Sequence, residues 1–326
     1  MWHNADVLAR EHIARRRGSR QSQSLEEWMF KNLSPEALGT SAGPSELIEL
    51  ALSFGFRSVD LNLAEFALQV KEHGLPKARR LLDSAKLKIG SFALPLDCSA
   101  DDATFKHELE QLPAMVAPAV EVGATRTVTV IEPACDERPY HQNFEFHRQR
   151  LADIAKKLEP MGVRLGVGFQ AQADFRAGKH FEFIHSLDAL LVLLGTIGKG
   201  QVGVSLDLWQ VWAGGGSLDA LRSKLRPDQI VTVQLADAAE AIATPENAPL
   251  SSRRLPGETG VIDSAAALVT LAEAGYQGPI TPAPDTSRFA GMRRDSIVKL
   301  AAEKLDAVWK RAGLSPSGKI AAPAGK

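Results

Sequence analysis

Along most of the chain, short apolar runs alternate with longer stretches in which apolar positions recur every three or four residues. The short runs fall at about 30–33, 58–63, 88–94, 126–131, 164–170, 202–209, 230–236 and 279–283. They are rich in Val, Leu and Ile rather than strictly alternating, which suits parallel strands covered by helices. The longer stretches predict helices over 44–53, 101–122, 143–158, 181–197, 218–225, 263–274 and 292–311. Local signals agree. Gly43-Pro44 opens the first of these helices, Ser217 and Asp263 stand at N-cap positions, Gly275 closes the helix that Asp263 opens, and Pro227 stops the one that Ser217 opens. Eight strand–helix units in about 280 residues fit one closed (β/α)8 TIM barrel, an α/β fold. An open doubly wound sheet would want a glycine-rich phosphate turn after its first strand, and neither GxGxxG nor GxxxxGK[ST] occurs.

Flanking segments read differently. Residues 1–28 read as a helical or frayed extension carrying Arg15-Arg16-Arg17, taken as a solvated charge run. The barrel is expected over 29–312, and the Pro/Gly/Ala/Lys-rich stretch 313–326 is expected to be disordered. A formal net charge of −1 gives the protein no electrostatic call on nucleic acid or on anionic membrane. The apolar run 187–197 is too short to span a bilayer, and no secretory h-region opens the chain. Cys98 and Cys135 stand apart from any CxxC pattern, which predicts free thiols and a cytoplasmic setting.

Chemistry in such a barrel sits at the C-terminal strand ends. Read in order, these ends carry Glu132, then Gly168-Phe169-Gln170, then Asp207-Leu208-Trp209-Gln210, then Gln234 to Asp237, and last Ala283-Pro284-Asp285. A loop with Arg253-Arg254-Leu255-Pro256-Gly257-Glu258 follows the seventh strand. Pro282 and Pro284 remove ladder donors from one edge of strand 8, so that seam should be weakly paired.

The passages RLGVGFQ, SLDLWQVW, IVTVQLADA, RRLPGETGVID and GYQGPI together resemble the xylose isomerase-like TIM barrels, the sugar phosphate isomerase/epimerase and inosose dehydratase-like superfamily. The resemblance covers about residues 30–310. It implies a divalent cation, often manganese, held by a Glu ending strand 5, an Asp ending strand 6, a His in strand 7 and a Glu ending strand 8. The two glutamates would also serve as acid and base in proton transfer between adjacent sugar carbons. At the matching positions this chain has Gly168, Asp207, Gln234 and Ala283, and Gln210 where a further His is usual. A first shell of one carboxylate instead of three should not hold a hard cation, so no metal ligand set and no cofactor are expected.

The expected function is therefore a non-canonical or non-catalytic member that binds a small carbohydrate or polyol. The substrate-contacting candidates are Glu132, His141, Gln170, Asp207, Trp209, Gln210, Gln234 and Arg254. The competing expectation is an active isomerase, epimerase or dehydratase with a displaced site, for which Asp207, Asp237, Glu258 and Asp285 could cluster one step further out. Trp209 or Trp212 could form a pocket wall, and Arg138 and His147 also stand at this barrel end. The stretch Gly214-Gly215-Gly216 reads as a flexible loop, with an anion-binding nest as the alternative. Pairing with a second copy or with an active paralogue stays open. The endonuclease IV branch of the superfamily needs a multi-zinc cluster that this chain lacks.

Overall fold

The computed structural model describes residues 28–198 and 200–321. Eight parallel strands run in it: β1 (Phe30–Leu33), β2 (Ser58–Leu61), β3 (Lys88–Ala93), β4 (Arg126–Ile131), β5 (Arg164–Phe169), β6 (Val202–Asp207), β7 (Ile230–Leu235) and β8 (Pro279–Pro282). Each pairs with its neighbours in sequence and β8 returns to β1, so the sheet closes into a single TIM barrel. The helices are α1 (Pro44–Ser53), α2 (Leu63–His73), α3 (Leu75–Ala85), α4 (Asp102–Glu121), α5 (Tyr140–Leu158), α6 (Leu187–Gly195), α7 (Leu208–Ala213), α8 (Leu218–Lys224), α9 (Ser264–Ala274) and α10 (Arg294–Arg311). Strand residues such as Val204, Leu206, Val233, Leu235 and Ile280 are buried against helix residues such as Leu112, Ile154, Leu190 and Leu305. Burial on both faces is why the strands read as near-continuous apolar runs.

The caps form as expected. Ser217 Oγ accepts from Ala220 N at 3.2 Å, and Asp263 Oδ1 accepts from Ala265 N and Ala266 N at 3.1 and 3.0 Å. The β8–β1 seam is thin, with register pairs only at Phe30–Pro279 and Lys31–Ile280. On the other side, pairing with β7 continues through Pro282, and Ala283 N donates to Leu235 O at 2.8 Å. The proline donors are therefore missing on the β1 side, where the ladder stops.

Four segments depart from the expectation. Helices α2 and α3 were not among the predicted ones; Asn62 Oδ1 caps α2 by accepting from Ala64 N and Glu65 N. The apolar sequence after Asp207 continues as helix α7 rather than as strand, because the Asp207 carboxylate caps it. The expected disorder from 313 onward is corrected over the described part. Leu314 bridges antiparallel to Ile320, and Trp309 Nε1 donates to Ser315 O at 2.8 Å. The Arg15–Arg17 run and residues 322–326 lie outside the described residues. Among the described residues no helix is long and apolar enough to cross a membrane.

Candidate functional site

Asp207 ends β6 and both of its oxygens are engaged. Oδ1 accepts from Trp209 N at 2.9 Å and Gln210 N at 3.4 Å, and Oδ2 accepts from Arg253 Nη1 at 2.8 Å. Arg253 comes from a two-residue ribbon in which Arg253–Arg254 pairs antiparallel with Asp237–Ala238, just past β7. Its Nε donates to Ala283 O at 2.9 Å, at the exit of β8. Its guanidinium also lies 5.2 Å from the ring of Trp209. The Asp207 and Arg253 side chains are 14% and 11% exposed, so the pair is screened little by solvent. One arginine thus joins the end of β6 to the end of β8.

Around the barrel from this pair runs a belt of polar side chains. Gln234 is the register partner of both Asp207 and Thr281. Thr281 Oγ1 accepts from Asn32 Nδ2 at 2.9 Å, and Asn32 Nδ2 also donates to Asp60 Oδ1 at 2.9 Å. Ser58 Oγ donates to Asn32 Oδ1 at 2.7 Å. Ser91 donates to Asp60 Oδ1 through its backbone N at 2.7 Å and through its hydroxyl at 3.0 Å. Register partners in a parallel ladder share a face, so the belt covers β3, β2, β1, β8, β7 and β6. On the remaining arc, Val130 of β4 pairs with Gly168 of β5, and Val130 is 53% exposed. A Cβ at Gly168 would meet Val130 Cγ2 at 3.4 Å, an ordinary contact, so packing does not require the glycine.

The sequence candidates divide sharply. Asp207 and Gln234 stand together, and Gln170 ends β5 with its Oε1 buried and unpartnered. Trp209 is not a wall of this mouth: it has no exposed surface and packs beneath Arg253. Gln210 is likewise buried. Its Oε1 accepts from Ala171 N at 2.9 Å and Gln172 Nε2 at 2.8 Å, tying the loop after β5 to α7. Arg254 turns outward, its Nη1 donating to the backbone oxygens of Ser251 and Arg253. Glu132 and His141 are exposed, with His141 on the first turn of α5.

The displaced carboxylate cluster does not form. Glu258 is held by both Nη atoms of Arg288, at 2.5 and 2.9 Å, and not by Arg254. Asp285 caps the turn at Thr286–Phe289. Asp237 is fully buried and accepts from four backbone donors: Ala238 N, Thr259 N, Gly260 N and Ile262 N, at 2.7 to 2.9 Å. It is a knot holding the loop before α9, with no lone pair directed to a ligand.

His147, also at this end in the sequence reading, is buried with its ring stacked on Phe183 at 5.2 Å. Burial, then the positive charges of Arg138 and Arg150, push its pKa down to about 4, against 6.5 for the free side chain. The folded state therefore takes up its proton later than the unfolded state. Its stabilising contribution is complete above pH 6.5 and is lost as pH falls toward 4, by about 3 kcal/mol. Urea midpoints of the wild type and His147→Phe between pH 7 and 4 should show the acid slope flattened in the variant; parallel slopes would contradict this.

A divalent cation does not fit these residues. Of the four strand ends matched to ligands, Gly168 and Ala283 supply no side-chain donor, and Asp207 is already neutralised by Arg253. Among the described residues no three His, Cys, Asp or Glu side chains gather to hold a metal.

The family model described as xylose isomerase-like TIM barrel matches residues 48–307. The chain belongs to this family. No curated protein matches it. Among solved structures, a xylose isomerase domain protein from Alicyclobacillus acidocaldarius is similar at 25% identity and TM-score 0.77, over 87% of this chain and 99% of that one. The IolI protein with a bound zinc atom is similar at 17% identity and TM-score 0.72, covering 87% and 99%. A D-psicose 3-epimerase in the presence of D-fructose gives 13% identity and TM-score 0.67, covering 87% and 100%. The last two likenesses concern the fold.

Sequence reading missed Arg253, Asn32, Asp60, Ser91 and Thr281. The strand residues had a signal, since each is a polar residue inside a short apolar strand of a buried sheet. For Arg253 the tandem pair gave no way to tell which arginine turns inward; the ribbon register decides it.

Proposed function

We propose that this protein is a member of the family that binds a small carbohydrate or polyol without a divalent cation and does not catalyse proton transfer between sugar carbons. The observation that carries this reading is the Asp207–Arg253 pair, which puts a fixed guanidinium between the ends of β6 and β8. A cation brought to Asp207 would have to displace that guanidinium and would gain one carboxylate in return, too few for a hard ion. Proton transfer at strands 5 and 8 would need a positioned acid and base, and Gly168 and Ala283 have none.

The mouth itself suits a polyol. Hydroxyl and carboxamide groups line the β1, β3, β6, β7 and β8 arc, while Val130 offers an apolar surface opposite, matching the two kinds of face on a sugar ring. That one protein sharing the fold is a D-psicose 3-epimerase in the presence of D-fructose supports the ligand class.

The test is calorimetric titration with D-fructose and with myo-inositol, with manganese and with EDTA, together with metal analysis after loading with manganese or zinc and desalting. Saturable binding of at least one probe, indifferent to manganese and EDTA, with sub-stoichiometric metal, is expected. One tightly held equivalent of metal, or binding abolished by EDTA, would overturn it.

A further inference from the structure

Strand order places β2 four steps from β6 in either direction, so Asp60 stands across the mouth from the Asp207–Arg253 pair. Its carboxyl is held by the side chains and backbone around it. All three close donors, Asn32 Nδ2, Ser91 N and Ser91 Oγ, go to Oδ1. Asn32 is in turn fixed by Ser58 and Thr281. Gly90 leaves room for this arrangement, because a Cβ there would lie 2.2 Å from Asn32 Oδ1 and 2.6 Å from Asp60 Oδ1. Five positions on four strands therefore serve to orient one partly exposed carboxyl group. That is the supporting shell a binding group needs, and more than one ladder acceptor would require.

We propose that Asp60 is a ligand-contacting, specificity-determining residue of the mouth, whose Oδ2 hydrogen-bonds a hydroxyl group of the bound polyol. This rests on the reading that the mouth takes a polyol. Two ligand-directed poles then face each other, Arg253 on one wall and Asp60 on the other, and a rigid hydroxylated ring is oriented by both.

The environment of Asp60 agrees. Burial raises its pKa above the ordinary 3.8, against the opposing effect of hydrogen bonds from Asn32, Ser34 and Ser91. A desolvated carboxyl held by pre-organised donors is characteristic of a binding or catalytic position. The polar groups on the elements around it are Asn32 of β1, Ser34 just after it, Ser91 of β3, and Asn62 and Glu65 at the start of α2. Because the folded state holds the Asp60 proton more tightly, its contribution to stability is complete below pH 3.8 and declines as pH rises above that value. Asp60→Asn, which keeps an acceptor for the three donors at Oδ1, should therefore be no less stable than the wild type at pH 7.

The experiment compares wild type and Asp60→Asn by titration with myo-inositol and D-fructose at pH 7, with urea midpoints as the folding control. A loss of affinity of about tenfold or more in a variant of unchanged midpoint is expected, the effect of one pre-organised hydrogen bond. Equal affinities in the two proteins would overturn the role of Asp60 and leave the polyol reading standing. If the wild type bound neither probe, the polyol reading would fail first and this inference with it.

Discussion

Replacing Arg253 by alanine is expected to cost about 3–5 kcal/mol of stability, the range for removing one partner of a largely buried ion pair. The loss has three parts. Asp207 would keep its helix-capping bonds to Trp209 N and Gln210 N but lose its counter-charge at 2.8 Å. Ala283 O would lose its guanidinium donor at 2.9 Å. Trp209 would lose the cation above its ring, leaving a cavity over a fully buried side chain. Denaturant midpoints of Arg253→Ala, Asp207→Ala and the double variant form the check. The double variant should be less damaged than the sum of the two single ones, because it leaves no buried charge unpaired. Strict additivity would mean that the pair is not a unit. In polyol titrations Arg253→Ala should also lose at least tenfold in affinity if the proposed function holds, since the wall that joins β6 to β8 is removed.

Asp237→Ala is the second change with a large expected effect, again about 3–5 kcal/mol, and it acts through backbone groups instead of a charge. Four backbone N–H groups converge on one buried carboxylate, and its removal leaves them without acceptors where water does not enter. The segment from Thr259 to Ile262 leads into α9, so its release should raise hydrogen exchange there before the rest of the barrel opens. Asp237→Asn makes the argument specific. An amide keeps one acceptor oxygen and turns its nitrogen toward two donors, so it should be nearly as damaging as alanine. A mild phenotype for asparagine would show that the knot matters less than its geometry suggests.

These two aspartates illustrate how unevenly the site was legible. Both end barrel strands and both were plausible members of a displaced carboxylate cluster. The structure gives one to a guanidinium and a helix cap, the other to four amides. Sequence spacing identifies residues that reach the same barrel end, but the partner of a carboxylate depends on loop paths. Arg253 lies 46 residues from Asp207 in the chain, and Glu258 lies 30 from its partner Arg288. The tryptophans make the same point. The strand expected over 202–209 runs on through Leu208 and Trp209 with a ring to offer, yet the Asp207 cap turns that stretch into helix α7 and Trp209 inward.

The sequence by itself determined the closed eight-strand barrel and, through passages such as RLGVGFQ and RRLPGETGVID, the family. The barrel follows from local periodicity and capping chemistry, which act over a few residues and need no knowledge of what lies across the fold. The resemblance implies one carboxylate, Asp207, where the family's ligand positions carry three. Only the tertiary structure decided that Arg253 rather than Arg254 meets that carboxylate, that Glu258 and Asp237 are committed elsewhere, and that Asn32, Ser91 and Gly90 converge on Asp60. Those are choices of facing and of long-range partner. They are set by ribbon register and strand closure, which bring together residues separated by tens to hundreds of positions in the chain.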